Sequence, residues 1–375
     1  MNRRRNLSKE TSKKKLLNVY FGTRGSTASS YLKELQSSQQ KYVETISLVN
    51  YYSDVPNGKR CVYYISDHPR IHLVPKYIRN FIRYIELVIG FLILFVIAIR
   101  NEITHINYSI TVYLRIEYYF FKLLSVLLPR ISIIITMHDA NLHWNAFVKG
   151  SSRQRTRKRV FGIADYIVVH NTFSERFLVN LGIPNAKIVS HLFPPMGRSA
   201  QDFTNIGHNY LFIGHARREK GVDFLCNAWY NEEFEDNRKL NIYGSDPSGL
   251  LKKLAQDMVK NESIKIYSDY VSDEEFYKLI QRSKYLVLPY LVGTNSGFPF
   301  FALSKNTLPL MSDIPAFHYF SSQYPGLVFR INDTQDLVDK LKNVRFSDYD
   351  CKQILHKYIE DYEKSVKLCY NSLFN

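Results

Sequence analysis

A chain of 375 residues that is 45% hydrophobic and 14% aromatic carries more apolar material than one ordinary domain buries. This excludes a disordered chain and points to two α/β domains. The formal net charge of +16 calls for an anionic partner: nucleic acid, anionic lipid or a phosphorylated small molecule. Cys61, Cys226, Cys351 and Cys369 are scattered, with no CxxC or Cys/His cluster. That pattern argues against a zinc site and a disulfide framework, and it fits a reducing cytoplasm.

The chain opens with a basic tail, residues 1–15, holding Arg3, Arg4, Arg5, Lys13, Lys14 and Lys15. No apolar segment precedes the first strand, so the tail does not read as a secretory signal. Leu16–Phe21 is the first predicted strand, followed by the loop Gly22-Thr23-Arg24-Gly25-Ser26-Thr27 and a helix from Ala28 to Leu35. Strand, glycine loop and helix open a Rossmann-like unit, but the GxGxxG spacing of a dinucleotide site is missing. Gly22 and Gly25 either permit a tight turn or let a substrate approach the backbone.

Tyr77–Arg100 holds the strongest hydrophobic signal, and Leu87–Ile99 is apolar throughout, flanked by Arg79, Arg83 and Arg100. The apolar part is shorter than the roughly 20 residues a bilayer span needs. A buried crossover helix is the expectation; an interfacial helix lying on a membrane is the alternative. Thr104–Tyr108 follows as a strand, Arg115–Leu128 as a helix, and Ile131–Thr136 as a nearly pure β-branched strand. That strand runs into Met137-His138-Asp139-Ala140-Asn141. His138 and Asp139 therefore sit at the carboxyl end of a parallel strand, where such folds carry their chemistry. A histidine bonded only to a loop carbonyl fits the same position.

The basic run Arg153, Arg155, Arg157, Lys158 and Arg159 starts a helix that is either a solvated face or a seat for lipid headgroups or a pyrophosphate. Tyr166–His170 is a strand, Ser174–Leu181 a helix and Lys187–Ser190 a short strand. Phe193–Asn209 loses periodicity around Pro194, Pro195, Gly197 and Gly207, which marks the interdomain linker. The expected domains are 16–195 and 205–348, with a closing helix in 349–375.

Tyr210–Ile213 starts the second set. Gly214-His215-Ala216-Arg217-Arg218-Glu219-Lys220-Gly221 follows, then a helix from Val222 to Trp229. Cations at a strand-to-helix turn need anionic company, and phosphate suits both the lysine point charge and the arginine fork. Leu240–Tyr243 and Ile264–Tyr267 read as strands and Asp273–Gln281 as a helix. Tyr285–Leu288, closed by Pro289, reads as a buried parallel strand. The polar loop Gly293-Thr294-Asn295-Ser296-Gly297 then feeds a helix over Phe298–Leu303, with Ser296 as expected cap and Pro299 in the first turn. Free amides and a helix dipole at that point favour an anion. Leu308–Met311 and Leu327–Arg330 are strands, Thr334–Lys342 a helix, and Cys351–Phe374 the long closing helix.

The segments FIGHARREKGVDFL, LNIYG, YVSDEEFYKLIQRSKYLVLPY and NSGFPFFALSKNTLPLMSDIPAF resemble, in order and spacing, the C-terminal domain of GT-B glycosyltransferases. The likeness runs from Tyr210 to about Lys342 and is nearest to the large retaining, family 4-like superfamily of exopolysaccharide and lipopolysaccharide enzymes. The first half is similar more loosely, through THINY before a helix and TMHDAN at a strand end. The resemblance implies an α/β fold of two Rossmann-like domains facing a cleft, with the last helix crossing back to the first domain. It implies a UDP- or GDP-sugar donor, no cofactor and no metal. Arg217 and Lys220 match the basic pair on the diphosphate, alongside Gly214. Asn295, Ser296 and Gly297 match the small-residue donor loop. His138, with Asp139, matches the N-domain histidine near the transferred sugar, and Gly22 and Gly25 the acceptor loop.

One feature departs from the family. Relatives commonly carry two glutamates around the donor loop; here those places fall among Thr294, Ser296, Ala302 and Ser304, with no carboxylate. Sugar contacts, nucleotide identity and stereochemical outcome stay open. The expected function is sugar transfer to a lipid-linked glycan acceptor in cell-surface polysaccharide synthesis, on the cytoplasmic, inner face of the plasma membrane. A catalytically silent, glycosyltransferase-like partner subunit is the alternative. A nucleic-acid-binding protein rests on charge alone and lacks the aromatic–basic signatures of RNA modules, so no nucleic-acid partner is expected.

Overall fold

The computed structural model describes residues 14–21, 28–50, 60–62, 73–109, 114–138, 152–197, 209–234, 238–246 and 248–374. The first half runs β1 (Lys15–Tyr20), α1 (Ala28–Gln39), β2 (Glu44–Asn50), β3 (Arg60–Val62), α2 (Lys76–Arg100) and β4 (His105–Ser109). It continues with α3 (Leu114–Leu127), β5 (Ser132–Thr136), α4 (Ser152–Ile163), β6 (Tyr166–Val169), α5 (Thr172–Asn180) and β7 (Ile188–Ser190). Among the described residues these strands form one parallel sheet in the order β3-β2-β1-β4-β5-β6-β7.

Side chains alternate across each strand, so the two faces feed two cores. Leu17, Val19, Ile133, Ile135, Ile167 and Val169 join the core beneath α2 and α3. Their neighbours Leu16, Ile134 and Val168 face the other way and join a core continuous with the second half of the chain. Both faces of a parallel sheet are covered, which is why these strands read as unbroken apolar runs.

The second half runs β8 (Asn209–Ile213), α6 (Val222–Tyr230), β9 (Lys239–Tyr243), α7 (Leu250–Asp257), β10 (Ile264–Tyr267) and α8 (Asp273–Gln281). Then come β11 (Tyr285–Leu288), α9 (Phe298–Ser304), β12 (Leu308–Ser312), α10 (His318–Gln323), β13 (Val328–Phe329), α11 (Thr334–Asn343) and α12 (Cys351–Phe374). The sheet order is β10-β9-β8-β11-β12-β13, again parallel. The order reverses between β8 and β11, the switch point at which open α/β sheets place their ligand sites.

α12 ties the halves together. Its buried residues Ile354, Leu355, Tyr358, Tyr362, Val366, Cys369, Tyr370 and Leu373 recur at helical spacing and form one stripe. Tyr358 donates to the Phe193 carbonyl at 2.7 Å, and Ser365 Oγ accepts from Leu192 N–H at 3.0 Å. Further along, Glu363 accepts from Ser38 at 2.9 Å and pairs with Lys41 at 2.9 Å. The Tyr370 hydroxyl accepts from Gln39, which starts a buried polar ladder. Gln39 Oε1 accepts from Asn18 at 2.6 Å, Asn18 Oδ1 from Asn107 at 3.0 Å, and Asn107 Oδ1 from Thr136 at 2.6 Å. Paired in this way, amides in the middle of a sheet avoid the cost of a buried unsatisfied group, about 1–3 kcal/mol each.

Two expectations need correction. α2 is one helix of 25 residues, and it is not buried as a crossover helix. Leu87, Phe91, Leu94 and Ile97 pack on the core, while Phe81 and Leu92 on the other face are 65% and 63% exposed. Among the described residues the helix has one sheet beneath it and no layer above, which hydropathy alone does not reveal. The cap of α9 is Gly297, not Ser296; the Ser296 hydroxyl accepts only a long bond of 3.4 Å from Phe298 N–H. The sequence pattern also left β2, β3, α7 and α10 unassigned.

Candidate functional site

After β8 the chain passes Gly214 into a tight turn, Arg218–Lys220, which precedes α6. This turn leans on the segment that follows β11, where Leu291 N–H donates to the Glu219 carbonyl at 2.9 Å. Gly221 lies at φ +62°, and a Cβ there would meet the Pro289 carbonyl oxygen at 1.9 Å. Only glycine allows both that backbone conformation and that approach.

The approach lays Lys220 over Tyr290, with Nζ 3.6 Å from the ring centroid. Tyr290 is 3% exposed, and its hydroxyl hydrogen-bonds the Ser296 side chain. Burial pushes the phenol above its ordinary range, so the ring stays neutral beneath the cation. Arg217 reaches Glu219 at 3.9 Å from a half-exposed position. Beside it, His215 contacts Ser245, and its imidazole is held below the usual range by burial and then by Arg217 and Lys220. A proton is disfavoured there because the corner already carries positive charge. Gly214 adjoins the start of α9: a Cβ on it would touch Phe298 at 4.0 Å.

The loop Gly293–Gly297 faces the first sheet. Thr294 Oγ1 donates to the His138 carbonyl at 3.4 Å, and the Asn295 amide donates to the same oxygen. Asn171 caps α5, its Oδ1 accepting from Ser174 N–H at 2.8 Å. Its Nδ2 crosses to the Thr294 carbonyl at 2.6 Å and to Asn295 Oδ1 at 3.3 Å. Gly297 sits against Met196, whose sulfur would be 2.3 Å from a Cβ at that position. The carboxyl ends of β5 and β6 and the loop after β11 therefore form one continuous surface.

His138 stands at the end of β5, its ring packed edge-on against Tyr31 at 4.3 Å and 5.8 Å from His170. Behind it the donors are ordered. His191 Nδ1 donates to the Leu192 carbonyl at 2.7 Å and His170 Nδ1 to the His191 carbonyl at 3.3 Å. His170 Nε2 is then left to accept from the Tyr31 hydroxyl at 3.1 Å. Burial, followed by the nearby His191, lowers His138 to about 4, and burial lowers His191 to about 4. His170 is lowered in the same direction, by burial first and then by His191 and His138. The end of the first sheet thus holds neutral imidazoles, while Arg217 and Lys220 bring positive charge to the turn after β8.

Of the residues singled out from the sequence, Gly214, Arg217, Lys220, Asn295, Ser296, Gly297 and His138 lie along this one surface. Asp139, Gly22 and Gly25 lie outside the described residues. Tyr290, Thr294, Asn171 and the Tyr31–His170 pair were not foreseen. Tyr290 had a weak signal, an aromatic just after the proline that ends a buried strand; the other three depend on contacts between distant segments. The described residues contain no group of three His, Cys, Asp or Glu able to hold a metal ion.

No family model matches the chain, and no curated protein matches it. Solved structures do match. A glycosyltransferase from Rickettsia africae is similar at TM-score 0.64 and 11% identity, covering 97% of this chain and 100% of that one. The lipopolysaccharide outer core galactosyltransferase WaaB matches at 0.63 and 13%, covering 96% and 99%. Anabaena HepE, solved with UDP-glucose, matches at 0.66 and 9%, covering 96% and 98%. The chain has the GT-B fold.

Proposed function

We propose that the chain is a glycosyltransferase that moves a sugar from a UDP- or GDP-sugar to a glycan acceptor. The observation that carries this reading is the stacking of Lys220 on Tyr290, itself bonded to Ser296, in a loop whose Thr294 and Asn295 hold the His138 carbonyl. In the reaction the anomeric C–O bond to the β-phosphate breaks and a C–O bond to an acceptor hydroxyl forms. The acceptor loses its proton, and the leaving diphosphate gains charge. Lys220 and Arg217 hold that charge with groups already in place, so no metal is needed. His138, neutral at physiological pH, faces the transferred sugar and orients it. The fold's solved neighbours include enzymes with nucleotide-sugar donors, which supports the donor class.

The acceptor is a lipid-linked saccharide of cell-surface polysaccharide synthesis, met at the cytoplasmic face of the plasma membrane; the positive charge of the chain supports this location. A second reading, a catalytically silent partner subunit, is favoured by the missing glutamates. Ala302 and Ser304 are buried, and Ser304 Oγ donates to Phe301 O at 2.9 Å, so neither supplies a substitute carboxylate. The two readings separate on a screen of UDP- and GDP-sugars for thermal stabilisation and for release of the nucleoside diphosphate. An enzyme gives both. Stabilisation with no release over long incubation, with or without acceptor lipids, supports the silent subunit, and no stabilisation by any nucleotide sugar overturns both.

A further inference from the structure

α2 and α3 lie side by side on the outside of the first domain, joined by stacked Phe91 and Phe120 rings 3.9 Å apart. Each keeps an apolar stripe in solvent. On α2, Tyr77, Phe81, Ile85, Leu92, Val96 and Ile99 follow helical spacing and are exposed. On α3, Tyr119, Leu123 and Val126 do the same, at 69%, 54% and 69% exposure. A patch of this kind on a soluble surface marks an interaction site.

The charges of this face are sorted by sign. The single carboxylates of α2 and α3 both point inward: Glu86 is 7% exposed, and Glu117 is fully buried and accepts from the Tyr108 hydroxyl at 2.8 Å. α4 carries no acidic residue at all. Among the described residues of these three helices, the outward charges are cations. Between α3 and α4 a cleft of about 250 Å³ is lined by Arg115, Tyr118, Tyr119, Arg155, Thr156 and Arg159. Tyr119 belongs both to the cleft and to the apolar stripe, so the two features are continuous.

We propose that this face docks on an anionic lipid leaflet, with the stripes of α2 and α3 immersed at headgroup depth and the Arg115–Arg155–Arg159 cleft seating a lipid phosphate. Arginine forks match phosphate oxygens, and tyrosine suits the interfacial zone with its apolar ring and polar tip. A spanning helix does not fit, because Leu87, Phe91, Leu94 and Ile97 share a core with Leu17, Val19 and Leu48 and would have to abandon it. A second copy of the chain does not fit either, because it would bring like charges together. The inference deepens the proposed membrane location, and its test is independent of sugar transfer.

The test is co-sedimentation of the full chain with phosphatidylcholine vesicles and with vesicles that also contain phosphatidylglycerol, at low and high salt. The protein is expected to partition onto the phosphatidylglycerol vesicles at least tenfold more strongly, and less so at high salt. A Phe81→Ser/Leu92→Ser pair and an Arg155→Gln/Arg159→Gln pair should each cut that partition at least tenfold while leaving Tm unchanged. If the serine pair lowers Tm, the glutamine pair decides alone. Partition unchanged in the deciding variants, equal binding to both vesicle types, or a solution dimer that the serine pair converts to monomer overturns the proposal. Nucleotide-sugar turnover without vesicles should be unaffected in both pairs; loss of vesicle binding with turnover retained separates this face from the donor site.

Discussion

Lys220 Nζ lies 3.6 Å from the centre of the Tyr290 ring, across two segments that are distant in sequence. A cation over a desolvated ring is worth on the order of 1–2 kcal/mol and fixes where the ammonium points. Lys220→Ala is expected to reduce kcat/KM by about 30- to 1000-fold, the roughly 2–4 kcal/mol typical of one preorganised charge-stabilising group. Tyr290→Phe keeps the ring and loses only the bond to Ser296, so it should cost far less than Tyr290→Leu. Steady-state kinetics on the three variants checks the order, and equal losses for Phe and Leu would dismiss the ring's role.

The buried imidazoles make stability depend on pH. His138 and His191 are lowered to about 4 in the folded chain, below the ordinary value near 6.5 of an unfolded one. The unfolded state therefore binds more protons between those values, and stability is lost as pH falls from about 6.5 towards 4. Tm is expected to be flat near neutrality and to drop across that window, and His191→Gln should flatten the drop. A Tm that holds steady down to pH 4.5 would contradict the buried, neutral cluster.

Part of this was legible beforehand. Ile133–Ile135 is a continuous β-branched run because both of its faces are covered, and a run of that kind announces itself. Ile354, Tyr358, Tyr362 and Val366 announced the closing helix by spacing, while its crossing back to the first domain was implied only by the family resemblance. β2 escaped because Glu44, Thr45 and Ser47 interrupt it towards the sheet edge. The exposure of α2 escaped because apolar spacing marks a face for burial without saying whether anything covers it. The Asn171–Thr294 bond escaped because no local pattern links a helix cap to a loop in the other domain. Lys220 and Ser296 could be foreseen together because topology sends both to one end of one sheet; Tyr290, the ring between them, could not.

Two glycines test how tightly the site is built. At Gly221 a Cβ would collide with backbone, the Pro289 carbonyl at 1.9 Å, in a left-handed conformation. At Gly297 the collision is with Met196 Sδ at 2.3 Å, a flexible side chain that can turn away. Gly221→Ala should therefore lose more stability than the roughly 1–2 kcal/mol of left-handed strain alone, and it should displace Lys220. Gly297→Ala should be milder in thermal melts. The reverse order would mean that the Lys220 turn moves freely.

Asn171 does two jobs with one side chain, and substitution can separate them. Its Oδ1 caps α5 through Ser174 N–H at 2.8 Å, and its Nδ2 holds the Gly293–Gly297 loop through the Thr294 carbonyl at 2.6 Å. Aspartate keeps the cap, and its charge suits a helix N-terminus. It cannot donate, however, and it would face the Thr294 carbonyl and Asn295 Oδ1 with negative charge. Asn171→Ala loses both functions. Its stability should fall by about 1 kcal/mol, the usual cost of a deleted cap, and the loop should come loose as well. Asn171→Asp should melt near the parent temperature yet bind the donor more weakly, because the loop carrying Asn295 and Ser296 is no longer drawn towards His138. Thermal melts alongside donor KM for the two variants check this. If Asn171→Asp leaves KM at the parent value while Asn171→Ala raises it, the cap positions the site and the cross-domain bond does not.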